Sequence, residues 1–200
     1  MLVRHRGLEP SIDPSAYVAP SATVVGDVRI AAGARILHGA VLTAEDGAVV
    51  IGEDTVVMEN ALVRGRRGYP AEIGPAVLIG PHAHVNGARV EEEAFVATGA
   101  ALSPGSVIGA GAEVRIHGVV QINTVLAPGA LVPIGWVAVG DPATILPPDR
   151  HEEIWAVQRE LDFPGTVYGV GQDVSMRELM RGQSDYYGAH RDDAPVDGTA

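Results

Sequence analysis

Aliphatic residues recur every six positions along most of this chain. They stand at Ile12, Val18, Val24, Ile30, Ile36 and Leu42, then at Ile51, Val57 and Val63, and at Ile73, Ile79 and Val85. They continue from Val90 through Val96, Leu102, Ile108, Val114, Val120 and Leu126 to Val132. Of the 19 gaps between these 20 positions, 16 are six residues long, and the others are nine, ten and five. Neither a helical period of 3.6 nor a simple strand period of 2 fits this spacing. A parallel β-helix does, with one short strand and one turn per hexapeptide. The aliphatic side chain points inward and stacks on its equivalents. A small residue four positions later, as at Ala22, Ala34, Ala40, Ala61, Ala83 and Ala100, fills the corner. A β-sandwich would space its strands irregularly at about 8–12 residues. The two long gaps, Leu42 to Ile51 and Val63 to Ile73, read as loops protruding from the coil.

Composition narrows the chemistry. The formal charge is −11, from 14 basic and 25 acidic residues, which argues against nucleic-acid and anionic-membrane partners. All the basic residues are arginine, so Schiff-base and phosphate-loop lysines are excluded. The absence of cysteine removes thiol catalysis and thiolate metal sites. With 4% aromatics, the core must be built from Val, Ile, Leu and Ala. No apolar run approaches the roughly 20 residues of a membrane span, and Met1–Pro10 has no apolar signal core. The expectation is a soluble cytoplasmic protein.

The domain organisation expected is a repeat domain over 1–145, a C-terminal helix and extension over 146–171, and a short helix with a mobile acidic tail over 172–200. Asp149, with Glu152 three residues on, predicts a capping box for a helix over Arg150–Leu161. Ile154, Val157 and Leu161 give that helix an apolar face. A second short helix is expected over Val174–Arg181, and Gly182–Ala200 as a mobile tail.

The stretches Val41–Glu45, Val50–Glu53, Met58–Asn60, Gly68–Pro70, Ile79–Gly87 and Val137–Ala143 are similar to the γ-carbonic-anhydrase group of hexapeptide-repeat proteins. The resemblance implies an all-β solenoid, a left-handed parallel β-helix of about seven coils with a C-terminal α-helix packed alongside. It also implies a trimer whose metal is held by three histidines across a subunit interface. Those positions read Arg64, Pro81 and Asn86 here. The family's Arg-Ala-Asp motif reads Thr43-Ala44-Glu45, and its Gln-Asp pair reads Met58-Glu59. The expectation is therefore a pocket rebuilt without that metal, and no cofactor.

The repeat register places Thr43, Arg64 and Asn86 in one column, each just after an inward residue, as the ligand-binding set. His38, Glu59 and Pro81 form a second column, and Asn60, His82 and His117 a third. Glu45 and Glu59 with His82 are the candidates for acid–base work. His82 and His84, with His117, are the candidates for a relocated metal. The plainer reading of these histidines is turn residues bonded to the backbone. Arg64 offers a permanent charge and a planar donor fork suited to carboxylate; its plainer reading is a salt bridge to Glu45 or Glu59. His5, His151 and His190 lie outside the repeats and receive no role. Trp136 and Trp155 read as packing residues.

Three functions follow. The first is a metal-free homotrimer binding, or acting on, a small anionic or carbonyl compound in an inter-subunit pocket. The second is a hexapeptide acyltransferase using acyl-CoA. The third is a non-catalytic assembly subunit.

Overall fold

In the computed structural model, which describes residues 1–196, the hexapeptides wind into a three-sided parallel β-solenoid. Each inward aliphatic residue ends or centres a strand of two to four residues, and strands one coil apart pair in parallel register. Rungs of a sheet stack about 4.8 Å apart, so the inward side chains form continuous columns. Leu42, Val63, Val85, Ile79 and Ile108 are completely buried, and so are the corner alanines Ala40, Ala61 and Ala100. Two faces carry seven strands each. The third carries eight parallel strands, because Leu2–Arg4 and Val137–Val139 extend it past the repeats read from the sequence. The solenoid thus runs to about eight turns rather than seven.

The eight-stranded face is closed at both edges by antiparallel strands. Thr144–Leu146 pairs with Val137–Val139 at one end, and Ala194–Pro195 with Leu2–Arg4 at the other. An open edge offers unpaired backbone groups to any passing strand, so both caps protect the solenoid. Trp136 packs partly buried against the core near the C-terminal end, as its packing reading expected.

After the solenoid the expected helix is present, but its cap and the segment that follows it differ from the sequence expectation. Helix α1 spans His151–Gln158 and continues as a 3-10 turn over Arg159–Leu161. Its N-cap is Arg150 and no side chain caps it, so the box expected at Asp149 and Glu152 does not form. Arg150 takes Glu153 as its ion-pair partner instead. Ile154 is buried as α1 packs on Val137–Val139, while Trp155 is exposed. Helix α2 spans Phe163–Tyr168.

Helix α3 spans Met176–Tyr187, starting later and ending later than the Val174–Arg181 expected. The capping box is found here, between Ser175 and Glu178. The expected mobile tail is instead structured through Val196. A 3-10 turn over Gly188–Asp192 follows α3, and Ala194–Pro195 joins the sheet. Side-chain anchors invisible to local patterning hold this segment. Residues 197–200 of the expected tail lie outside the described residues. No helix among the described residues is long and apolar enough to cross a membrane.

Candidate functional site

The column read from the repeat is present. Arg64 stands between Thr43 and Asn86 in parallel register on the eight-stranded face. Thr43 is buried, and Arg64 and Asn86 are half-buried. Glu45, two residues beyond Thr43, is only 4% exposed. Its Oε1 accepts a hydrogen bond from the Thr43 hydroxyl at 3.1 Å and lies 4.0 Å from Arg64 Nε. Four ångströms is ion-pair range but too long for a hydrogen bond. Arg64 Nε and Asn86 Oδ1 are accordingly both buried without a hydrogen-bond partner. Two adjacent residues of one ladder thus hold an unused donor and an unused acceptor.

The other candidates are not gathered around this column within the chain. Glu59 and His82 sit in the corners that precede the strands Leu62–Gly65 and His84–Asn86, whereas Glu45 follows Val41–Ala44 at the far edge of the same face. The two glutamates are separated because the length of a strand lies between them. His82 donates its backbone N–H to the Glu59 carbonyl at 3.0 Å and adopts a positive φ of 58°. His117 adopts the same left-handed corner conformation and lays its ring over Gly99, where an added Cβ would fall 2.5 Å from ring atoms. His84 lies on the rung of Leu62 and Ala101. Although the residue is exposed, partial desolvation and then the charge of Arg64 hold its imidazole below the ordinary range. His82, His84 and His117 do not converge on a common point: among the described residues, three metal-ligating side chains come together elsewhere.

That place is built from residues at opposite ends of the sequence. His5 follows the first strand and is 1% exposed. The 3-10 turn after α3 delivers His190 against it, and the rings stack with centroids 4.3 Å apart. Asp193 bridges them: Oδ1 is 2.6 Å from His5 Nδ1 and Oδ2 is 2.9 Å from His190 Nδ1. His190 Nε2 reaches Glu45 Oε2 at 3.0 Å. With a carboxylate on each nitrogen, His190 donates from both. Burial pulls its pKa down, but the Asp193 hydrogen bond and the Glu45 charge outweigh burial and raise it. Burial pushes Asp193 up, and its bonds to His190 and His5 reverse that to a net lowering. No periodic signal marks His5 or His190. The available hint is chemical: His5 and His190 are two of three histidines outside the repeats without a role, in a chain whose family motif ends in a carboxylate, Glu45.

Aromatic contacts complete the docking. Tyr187 lies 5.9 Å beneath the Arg64 guanidinium, and Tyr186 5.4 Å beneath that of Arg6. The Tyr186 hydroxyl donates to Asp46 at 2.7 Å. Burial first, and then the Asp46 carboxylate, push that phenol far above its usual pKa. The C-terminal segment therefore lies over the edge of the column that carries Arg64.

Three hollows bear on ligand binding. One of about 130 Å³ is bounded by His5, Arg6, Ala44, Glu45 and Gly47. One of about 320 Å³ lies between the loop Arg66–Tyr69 and residues Gly165, Thr166, Gln183 and Tyr186. The widest, about 630 Å³, is on another face among Glu72, Arg89, Glu91 and Glu92. Its arginine already pairs with Glu91 at 3.7 Å, and its carboxylates disfavour an anion.

Comparison with known proteins gives a consistent family. The chain is 36% identical over 165 residues to gamma carbonic anhydrase 1, mitochondrial, of Arabidopsis thaliana, covering 76% of this chain and 58% of that protein. It is 33% identical over 158 residues to the carboxysome assembly protein CcmM of Synechococcus elongatus, covering 72% and 29% respectively. The chain thus spans less than six tenths of the length of either relative. A hexapeptide transferase family protein from Anaplasma phagocytophilum superposes with a TM-score of 0.51 at 22% identity, over 94% of this chain and 93% of that one. At that identity the likeness is one of fold. No family model matches the chain.

Proposed function

Because this chain belongs to the γ-carbonic-anhydrase-like hexapeptide-repeat proteins, we propose that it is a homotrimer whose family pocket has become a binding site for a small carboxylate or carbonyl compound. The residues at the three histidine positions do not fit a metal there. A guanidinium has no lone pair to give a metal, and proline at 81 offers no side-chain donor. No step through the family's metal is therefore assigned to this pocket, and zinc-dependent CO2 hydration is not expected of it.

The observation that carries the proposal is the pair of unused groups, Arg64 Nε and Asn86 Oδ1, side by side on one ladder. A buried polar group without a partner costs about 1–3 kcal/mol, and a ligand that pairs with it recovers that cost. A carboxylate accepts from the guanidinium edge, while a hydroxyl or acid proton on the ligand serves the Asn86 oxygen. Glu45 positions Arg64 from behind, and Thr43 fixes Glu45. Glu59 and His82 enter the reading only as groups that a neighbouring subunit brings to the cleft, where they are candidates for acid–base work. The cytoplasmic setting belongs to the same proposal; the plant relatives carry "mitochondrial" in their names.

The test compares wild type with Arg64→Ala for oligomer mass and for thermal shift across a panel of small carboxylates. At a hundredfold excess over Kd, a ligand of the folded state adds about 2.7 kcal/mol; at roughly 2–4 °C per kcal/mol for a chain of this size, the shift is about 5–11 °C. The expected result is a shift in wild type that Arg64→Ala abolishes while the trimer mass persists. A ligand response unchanged by the substitution removes Arg64 from the site, and a monomeric mass removes the trimer.

The acyl-CoA reading rests on the fold of the transferase neighbour alone. The assembly-subunit reading rests on the name of the carboxysome relative. Titration with acetyl-CoA and recovery of a stoichiometric protein partner separate these from the carboxylate site.

A further inference from the structure

We propose that His5, Glu45 and His190 form a divalent-metal site, a set of two imidazoles and one carboxylate assembled where the returning C-terminal segment meets the first coils. This goes beyond the carboxylate pocket: the site shares Glu45 with it, through Oε2 while Oε1 faces Arg64, and uses none of the family's three histidine positions. Each residue offers one ligand atom, and the three atoms lie within 4.8 Å of one another.

Spacing supports the assignment. Nitrogen and oxygen ligands stand about 2.0–2.2 Å from zinc in tetrahedral geometry, which places neighbouring ligands roughly 3.3–3.6 Å apart. His190 Nε2 and Glu45 Oε2 are 3.0 Å apart, so these two donors need to separate by only a few tenths of an ångström. Bringing in the third donor takes a shift on the order of 1–2 Å and an opening of the stacked rings, set by the same ligand radius. His190 sits on a partly exposed turn and can supply that movement, whereas His5 and Glu45 are fixed in the solenoid.

The surroundings have the form that metal-bound histidines require. Asp193 takes the Nδ1 edge of both rings, which leaves both Nε2 atoms as the ligating edge. The Arg6 N–H points at His5 Nε2 from 3.2 Å, which marks that nitrogen as the lone-pair acceptor and places the ring proton on Nδ1. Arg6 is exposed, and it clears that nitrogen by giving up its contacts to the Tyr186 ring and carbonyl. On the His190 edge, the metal takes the place of the proton shared with Glu45. The 130 Å³ hollow beside His5 and Glu45 leaves room for water or a small anion in the remaining coordination positions. An imidazole-rich set of this kind suits zinc, cobalt or iron(II), and not calcium or magnesium, which prefer oxygen shells.

The test is equilibrium dialysis of the full chain against Zn²⁺, followed by removal of free metal and elemental analysis. Wild type should retain about one zinc per chain. His190→Ala should retain less than a tenth of that, and the double variant His82→Ala/His84→Ala should retain it all. Asp193→Asn should weaken binding about 10–100-fold, the usual effect of losing the group that orients ligating histidines. His5→Ala can unfold the first coil, so His190→Ala on the surface turn is the deciding variant. Visible absorption of wild type loaded with Co²⁺ gives an independent readout, and the bands should vanish in His190→Ala. Zinc absent from wild type, retained by His190→Ala, or lost with His82 and His84 overturns the site. Metal content reads this proposal whether or not a carboxylate binds at Arg64, so the two can fail separately.

Discussion

The solenoid and the segment that returns along it are held together in opposite ways. In the coils, each inward residue is buried by its equivalents above and below, so the same small device repeats through Leu42, Val63 and Val85. In the returning segment, α1, α2 and α3 each bury a single residue, Ile154, Val167 and Leu179. The segment is fixed instead by a few polar and aromatic anchors, Tyr186 on Asp46, Tyr187 on Arg64, and His190 and Asp193 on Glu45 and His5. A repeated apolar core is redundant and rigid. A segment held by a handful of side chains is the part that opens first, because local opening follows sparse apolar burial.

The largest effect that can test this contrast is a cavity in the coils. Ile79→Ala removes a completely buried side chain and should cost about 2–5 kcal/mol. Denaturant unfolding should show the loss as a lower midpoint for the whole solenoid. Leu179→Ala, the matching truncation in α3, should leave that midpoint nearly unchanged and raise hydrogen exchange only in residues 176–196. Equal global loss from both variants would break the distinction.

A smaller effect concerns pH, in protein treated with chelator. The raised pKa of His190 makes its contribution complete below about 6.5 and lost as pH rises through the folded value. The lowered pKa of Asp193 makes its contribution complete above about 3.8 and lost as pH falls through the folded value. Docking of the segment should therefore be strongest in mildly acidic solution. Amide exchange at Val196, which bonds to the Leu2 carbonyl, should be slowest there and faster on both sides. The coils away from His5 and Glu45, whose inward columns are aliphatic, should keep their protection throughout.

The smallest effect is at the start of α3. Ser175→Ala removes the capping box and should cost about 1 kcal/mol, read as fraying of the first turn by exchange. Oligomer mass and carboxylate response should not change.

These contrasts follow how legible each region was. The six-residue period made the coils, their inward residues and the Thr43–Arg64–Asn86 column readable, because strand pairing one coil apart follows from counting residues. The period also put His82 and His117 in corners, where a positive φ aims them along the turn and not at a common centre. The box at Asp149 and Glu152 did not form because the helix starts one residue later, with Arg150 as its N-cap, and an equally local pair, Arg150 and Glu153, forms across its first turn. The composition of residues 182–196 pointed to a mobile tail because its polar residues carry no periodicity, yet those polar groups are the anchors.

The sequence by itself determined the solenoid, its protruding loops and the loss of imidazole at the family's metal position, since each is written in spacing or in residue identity at a counted position. Only the tertiary structure decided where the last fifty residues go, and so which groups surround Glu45. His5 and His190 share Asp193 because the chain doubles back from the last coil to the first and adds Ala194–Pro195 to the open sheet edge at Leu2–Arg4. That juxtaposition depends on the summed rise of every coil between them, a distance set by backbone pairing and not by any motif near either histidine.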